Sequence, residues 1–265
     1  MSVSNYIHLF LFPCIQLGFF GLVLIPEEFG VLTICAVLLG ALALNFTLHI
    51  FIHHMVHFLP KRTLIELPLG IAFSWLIGIP FHYYTMSHWN HHKHNNQEKD
   101  FTSTWRRDKQ GVLRPKPFLI YTIFWPFVSN TSLKNQFAQS KVEGYNSRRN
   151  ELFIGIEFLV NLLLYALLVR ISLVVLCAYF LMIYVGWVFI SAHNYGQHIP
   201  KAYAKFKGFS FSPSWYNRLF ANNGLHEEHH ETPQLTYWKL SKLEQGAEVQ
   251  HPHLVAGFFH HKAKE

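Results

Sequence analysis

The chain has 265 residues, of which 51% are hydrophobic, 17% aromatic and only 14% charged, with a formal net charge of +7 and 19 histidines. A soluble domain carries about 25% charged residues, and a disordered chain is poor in apolar ones, so both classes are excluded and a membrane protein is expected. Cys14, Cys35 and Cys177 stand singly in apolar runs, without the paired spacing of a disulfide scaffold or a thiolate metal site.

The first apolar run covers residues 8 to 25. No Lys or Arg precedes Lys61, so the run lacks the basic n-region of a secretory signal and reads as a retained membrane helix. A turn at 25 to 30 carries Glu27 and Glu28, and a second run follows from 31 to 53. The stretch 67 to 84 is also apolar, but Pro68, Gly70, Gly78 and Pro80 weaken a straight helix there. Residues 118 to 128 are too few to cross a bilayer. Residues 152 to 192 are about twice the ~20 needed, and Arg170 and Ser172 mark a reversal between spans at 152 to 169 and 173 to 192.

Basic residues set the orientation. The stretch 93 to 151 holds eleven Lys and Arg against five Asp and Glu, and the chain after 193 holds eight against six. Both are expected on the cytoplasmic side, which gives four spans with both termini cytoplasmic. No nucleic-acid partner is expected. The whole chain, 1 to 265, reads as a single integral-membrane domain with a polar tail from about 245.

Histidine falls into three clusters: His49, His53, His54 and His57; His88, His91, His92 and His94; and His226, His229 and His230. Spacings of three and four place side chains on one helix face, so His53 shares a face with His57. In each H-x-x-H-H the first histidine shares a face with both members of the pair. Two such motifs in one chain exceed what composition produces by chance. Imidazole at a membrane edge is costly without a partner, and neutral imidazole suits Fe, Zn, Cu and Ni. Eight histidines exceed the set that holds a single catalytic zinc, which points to two metal ions held mostly by imidazole. Glu227 and Glu228 lie between the histidine positions, off the ligating face.

His198 ends the last span and adds a ninth nitrogen candidate. Asn194, four residues earlier, shares its face and is a candidate to hold a metal directly or through water. A capping pair at a helix end is the plainer alternative. The histidines also constrain topology. His53 and His57 close the second span on the cytoplasmic side, and His88, His91 and His92 must reach the same metals soon afterwards. The stretch 67 to 84 is therefore expected to be interfacial or re-entrant, and 118 to 128 to stay at the surface.

These motifs resemble those of the membrane fatty acid desaturase and hydroxylase superfamily, whose boxes match at 53–57, 88–92 and 226–230. The segments SHWNHHKHNNQEKDF and NRLFANNGLHEEHH are similar to the surroundings of its second and third boxes, and Asn194 with His198 matches a further family position. The resemblance implies an all-α membrane protein: about four transmembrane helices, interfacial or re-entrant helices and a cytoplasmic histidine-rich cap. It implies two Fe ions held by His53, His57, His88, His91, His92, His198, His226, His229 and His230. O2 and two external electrons would then desaturate an acyl chain or similar lipid. The alternative on the same scaffold is a hydroxylase or ketolase of a lipid, alkane or carotenoid. The chain leaves no room for a fused cytochrome b5 domain, so the donor is expected to be separate, of ferredoxin, rubredoxin or cytochrome b5 type.

Two positions depart from the family pattern. His54 stands where an acidic residue is common, and Glu231-Thr232-Pro233 stands where Leu-Phe-Pro is common. Both changes bear on the substrate and leave the metal pattern whole. Asp100 and Glu228 are candidates to accept the second ring N–H of a ligating histidine, with ordinary solvated charge as the alternative. His49 and His54 are further candidates to bind or support the metals. His54, His82 and His94 lie off the best face or spacing and read as supporting or surface residues. His8, His251, His253, His260 and His261 read as surface histidines, and His193 points away from Asn194. Glu157 and Asn161 share a face within a span, to line the site or join helices. Trp75, Trp125 and Trp187 read as an interfacial belt. A divalent-metal transporter is the rival reading, but it would place its ligands near mid-membrane rather than at the cytoplasmic edge.

Overall fold

A computed structural model describes residues 3–24, 30–59, 61, 63–129, 131–198, 210–211, 217–218, 221–240 and 250–251. The expected turn at Glu27 and Glu28 lies outside the described residues, as do His253, His260, His261 and nearly all of the tail from 245. The described residues are mostly helical. The chain divides into two units, Met1–Met86 with Glu143–Phe189 and Ser87–Val142 with Ile190–Glu265. The division passes through two helices, Phe81–His94 and Leu173–His198.

In the first unit, three helices reach the length and apolarity needed to cross a bilayer: Val31–Phe58, Arg148–Ile171 and Leu173–His198, the last continuing past the unit's edge. The expected spans at 31–53, 152–169 and 173–192 fall inside them. Helix Val3–Val23 covers most of the first apolar run and packs along Val31–Phe46, with Phe12 stacked on Phe46 at 4.6 Å between ring centroids. The reversal is abrupt: Ser172 is extended and separates two helices that are otherwise continuous. Ser147 starts the first of them, its side chain accepting the Asn150 backbone N–H, an ordinary N-cap. The lipid-compatible faces are plain, since Leu159, Leu163 and Leu167 remain exposed.

Helix Val31–Phe58 is not α-helical throughout. Thr47–Ile52 is a π-helical segment between Val31–Phe46 and His53–Phe58. The apolar stretch 67 to 84 is broken as its Pro and Gly content suggests. Helix Glu66–Ile77 has 12 residues, about 18 Å, and is too short to span a bilayer. It ends at Gly78, whose φ of 73° belongs to the left-handed region that a C-terminal glycine supplies. A Cβ on Gly78 would lie 2.5 Å from Ile183 Cγ2.

Helix Phe81–His94 begins after Pro80, and its first two donors are satisfied by side chains. Phe81 N–H donates to Ser74 Oγ at 2.8 Å and His82 N–H to Glu157 Oε2 at 3.0 Å. His82 is buried, with Nδ1 at 2.5 Å from Glu157 Oε1 and Nε2 at 3.4 Å from Glu66 Oε1. Arg149 pairs with the other oxygen of Glu66. Glu157 thus joins helices, and His82 belongs to this buried carboxylate network rather than to the surface. Trp187 donates Nε1–H to the Ile77 carbonyl at 2.7 Å, and Trp75 stacks on Tyr179, so both tryptophans join helices within the unit.

The second unit adds two small strand pairs to the helical pattern. Trp105–Arg107 and Leu113–Pro115 form an antiparallel hairpin, and Ser210–Phe211 pairs in parallel with Gln250–His251. The hairpin turn is built by Asp108, whose Oδ1 accepts from the backbone N–H of Gln110 and Val112, and by Gly111 at φ 78°. Residues 118 to 128 form helix Phe118–Ile123 and a 3-10 turn at Trp125–Phe127, both short, with Leu119 and Phe127 exposed. Helices Leu133–Val142, His226–Glu231 and Tyr237–Leu240 also lie in the unit.

Candidate metal centre

Helix Phe81–His94 carries His88, His91 and His92 at the i, i+3, i+4 positions of one face. Helix His226–Glu231 repeats the pattern with His226, His229 and His230, and His198 ends the last long helix. These seven side chains converge through their Nε2 atoms. His91 and His198 lie 2.9 Å apart, His198 and His226 2.8 Å, and His226 and His230 3.2 Å. Ligand atoms of these four buried residues all lie within 4.8 Å of one another.

His88, His92 and His229 form a neighbouring group, with Nε2 separations of 2.9 Å between His88 and His92 and 3.1 Å between His92 and His229. The groups are adjacent, since the His92 and His230 rings stack at 4.4 Å between centroids. In the other unit, His53 and His57 share one face of helix Val31–Phe58, 5.6 Å apart by ring centroid. His49 and His54 are both buried, His54 being stacked on Phe58 at 4.4 Å.

The donor set fits a metal of the imidazole-binding class. Two imidazole nitrogens bonded at about 2.1 Å and at right angles around one cation lie about 3 Å apart, and the Nε2 separations fall around that value. Hydrogen bonding alone accounts poorly for the convergence. Each N···N contact needs one proton between two nitrogens, and His91 has already committed its proton elsewhere. Its Nδ1 lies 2.7 Å from Asp100 Oδ2, so Nδ1 is placed to donate to the carboxylate while Nε2 faces the group.

Asp100 is fully buried and over-supplied with donors. Beyond His91 it accepts from Asn96 N–H at 2.7 Å, Thr102 N–H at 2.8 Å and Thr102 Oγ1 at 3.0 Å. Burial alone would raise its pKa, but His91 and these hydrogen bonds outweigh that and hold the carboxyl well below the usual range. Burial, then the surrounding imidazoles, lower His230, which favours the neutral ring that metal ligation requires. Glu228 is buried and pairs through Oε2 with Ser210 Oγ, which anchors helix His226–Glu231 to the strand Ser210–Phe211.

Asn194 is not among these nitrogen groups. Its Nδ2 donates to Tyr121 OH at 2.7 Å, and Tyr121 donates to the Thr102 carbonyl at 2.8 Å. His94 is near Gln139, with 3.3 Å between the Gln139 amide nitrogen and its Nε2. Spacing could not single out Asn96. At φ 62°, its Nδ2 donates to the His198 carbonyl at 2.8 Å, while Oδ1 accepts from Thr104 N–H at 2.7 Å. The sole signal was its place in the Asn-Asn pair after the second box, since asparagine tolerates left-handed backbone.

Residues 29–261 match the family model described as Fatty acid desaturase, covering most of the chain. No curated protein and no solved structure matches it.

Proposed function

The chain belongs to the fatty acid desaturase family, a membrane oxidoreductase family acting on lipids, and on that premise we propose that it is an O2-dependent lipid desaturase with a histidine-held pair of irons. The observation that carries this reading is the convergence of seven imidazole Nε2 atoms in two adjacent groups. His91, His198, His226 and His230 would hold one iron. His88, His92 and His229 would hold the other, and His53 and His57 are assigned as iron ligands by the resemblance of their sequence to the family's first box. Bound iron supplies activation of O2 and removal of hydrogen from an unactivated C–H bond.

The chain's own residues prepare the site. Asp100 fixes the proton of His91 on Nδ1, which aims the Nε2 lone pair inward. Burial of His91, His198, His226 and His230 excludes water from that group. Asn96 ties the end of the last long helix to the loop after the second box and so fixes His198 relative to His91. Asn194 supports this arrangement through Tyr121 and Thr102, and its Oδ1 is the atom that would reach a metal directly or through water.

The proposal places residues 1 to 265 in one integral-membrane domain with four spans, the fourth being the run around Phe10–Val23. Both termini and the metal centre face the cytoplasm, as the basic residues at 93–151 indicate. Electrons come from a separate donor of ferredoxin, rubredoxin or cytochrome b5 type. Desaturation and hydroxylation share their first hydrogen abstraction and part at the second step. Aerobic incubation of iron-loaded protein with a donor and a lipid panel, followed by mass spectrometry, decides between them. Loss of two hydrogens supports desaturation, and gain of one oxygen atom replaces it with hydroxylation. Stoichiometric zinc with no O2-dependent product defeats both.

A further inference from the structure

The hairpin Trp105–Pro115 is basic at its surface and linked at its base, through Ser103 and Asn96, to the backbone of His198. Residues 87 to 142 contain nine Lys and Arg and three Asp and Glu, and one of those acids, Asp100, is buried beside His91. In the hairpin itself, Arg106, Arg107, Lys109 and Arg114 face solvent against Asp108 alone. Arg107 pairs with Glu98 at 3.0 Å and Arg114 with Asp108 at 2.7 Å. Arg106 and Lys109 make no ion pair among the described residues.

The base of the hairpin continues inward without a break. Trp105 N–H donates to Ser103 Oγ at 3.1 Å, Ser103 Oγ donates to the Asn96 carbonyl at 3.1 Å, and Asn96 Nδ2 donates to the His198 carbonyl at 2.8 Å. Lys116 closes the same base, its Nζ donating to the Ser103 carbonyl at 2.7 Å and to the Val128 carbonyl at 2.5 Å. A solvated basic loop needs none of this. An entry point for electrons needs both halves: a charged face that orients a partner, and a short bonded path to the residues that hold the metal.

We propose that the hairpin Trp105–Pro115 is the docking surface for the electron donor, a small acidic protein carrying one electron at a time. This rests on the oxidoreductase reading and names where its partner binds. Each docking event oxidises the reduced carrier by one electron, which passes by way of Trp105, Ser103 and Asn96 toward His198. Two events and two protons from water, with two hydrogens taken from the lipid, balance the reduction of O2 to two waters.

The test measures binding of oxidised plant-type ferredoxin, an acidic iron–sulfur protein, to the full-length chain in phosphatidylcholine nanodiscs. Neither turnover nor loaded metal is needed. The variant R106E/K109E removes no ion pair and should weaken binding at least tenfold at low salt. The difference should vanish as salt screens the charges. Bound iron, thermal midpoint and dithionite-driven turnover should match those of the unaltered protein. Equal binding by both proteins overturns the proposal, as does an equal loss from K134E/K141E on helix Leu133–Val142. If binding follows the hairpin charge and no lipid is oxidised, the docking surface stands and the oxidoreductase reading falls. If ferredoxin drives lipid oxidation regardless of hairpin charge, the reading stands and the docking surface falls.

Discussion

The Glu157 carboxylate holds His82 at two points, one oxygen accepting the backbone N–H at 3.0 Å and the other facing Nδ1 at 2.5 Å. The two residues are 75 apart in sequence, and both are buried. Glu157 therefore acts as a cap, supplied by helix Arg148–Ile171, for the helix that bears the second histidine box. Replacing it with leucine leaves His82 Nδ1 and a helix-end donor unpaired, with Glu66 alone still facing the ring. Glu157→Leu should cost roughly 3–5 kcal/mol, read as a fall in Tm in detergent. The pair Glu157→Leu with His82→Phe should recover part of that loss. An unchanged Tm for the single variant would show that the network carries no stability.

Gly70 makes room for this carboxylate. A Cβ there would sit 2.3 Å from Glu157 Oε1 and 2.9 Å from His82 Cε1. Gly70→Ala must push the carboxylate off His82, and we expect about 1–3 kcal/mol of destabilisation from overpacking. The exposed-face change Gly155→Ala, where a Cβ meets nothing within 4 Å, is the control and should be neutral or stabilising.

Asp100→Asn should lower metal affinity by about 10- to 100-fold, the usual cost of losing the partner that orients a ligating histidine. Chelator competition with the bound metal measures it. His230→Ala should remove metal more completely than His49→Ala, since His230 belongs to the converging nitrogen group and His49 does not. Equal metal content in the two variants would count against the assignment.

Lys116 gives a pH signature. Burial, partly opposed by Asp100 and reinforced by Arg106, lowers its pKa to about 8. Its folded value thus lies below its unfolded one, and between about 8 and 10.5 the unfolded chain binds more protons. Stability from this residue is complete above the unfolded pKa and is lost as pH falls through the folded one. The neutral amine still has hydrogens for both carbonyls. Thermal midpoints of the unaltered protein minus those of Lys116→Met should therefore rise with pH across that window. A flat difference would place Lys116 in water.

What the sequence made legible depended on local rules. Apolar runs located helices Val31–Phe58, Arg148–Ile171 and Leu173–His198, and Ser172 located the reversal between the last two. The i, i+3, i+4 spacing of His88, His91 and His92 located one face of their helix. Partners distant in sequence were not legible. His82 looked peripheral because Glu66 and Glu157 reach it from 16 and 75 residues away. The tie between Asn194 and Tyr121 is equally hidden, since 73 residues separate them. Asn96 has no spacing rule at all, since its role follows from a backbone turn that brings the His198 carbonyl within reach.

The π-helical segment Thr47–Ile52 divides helix Val31–Phe58 into two rulers with different zeros. A π turn takes roughly 4.4 residues where an α turn takes 3.6, so six such residues lag by about 110°, close to one residue's rotation. The bilayer-facing stripe of Val31–Phe46 and the histidine stripe of His53–Phe58 are consequently out of phase by one position. Counting residues straight through the helix assigns His49 to the stripe of His53 and His57 on a regularity the backbone does not keep. A homologous helix lacking one residue between 47 and 52 could present the same two stripes without any π turn, so alignments there should carry a gap rather than a substitution.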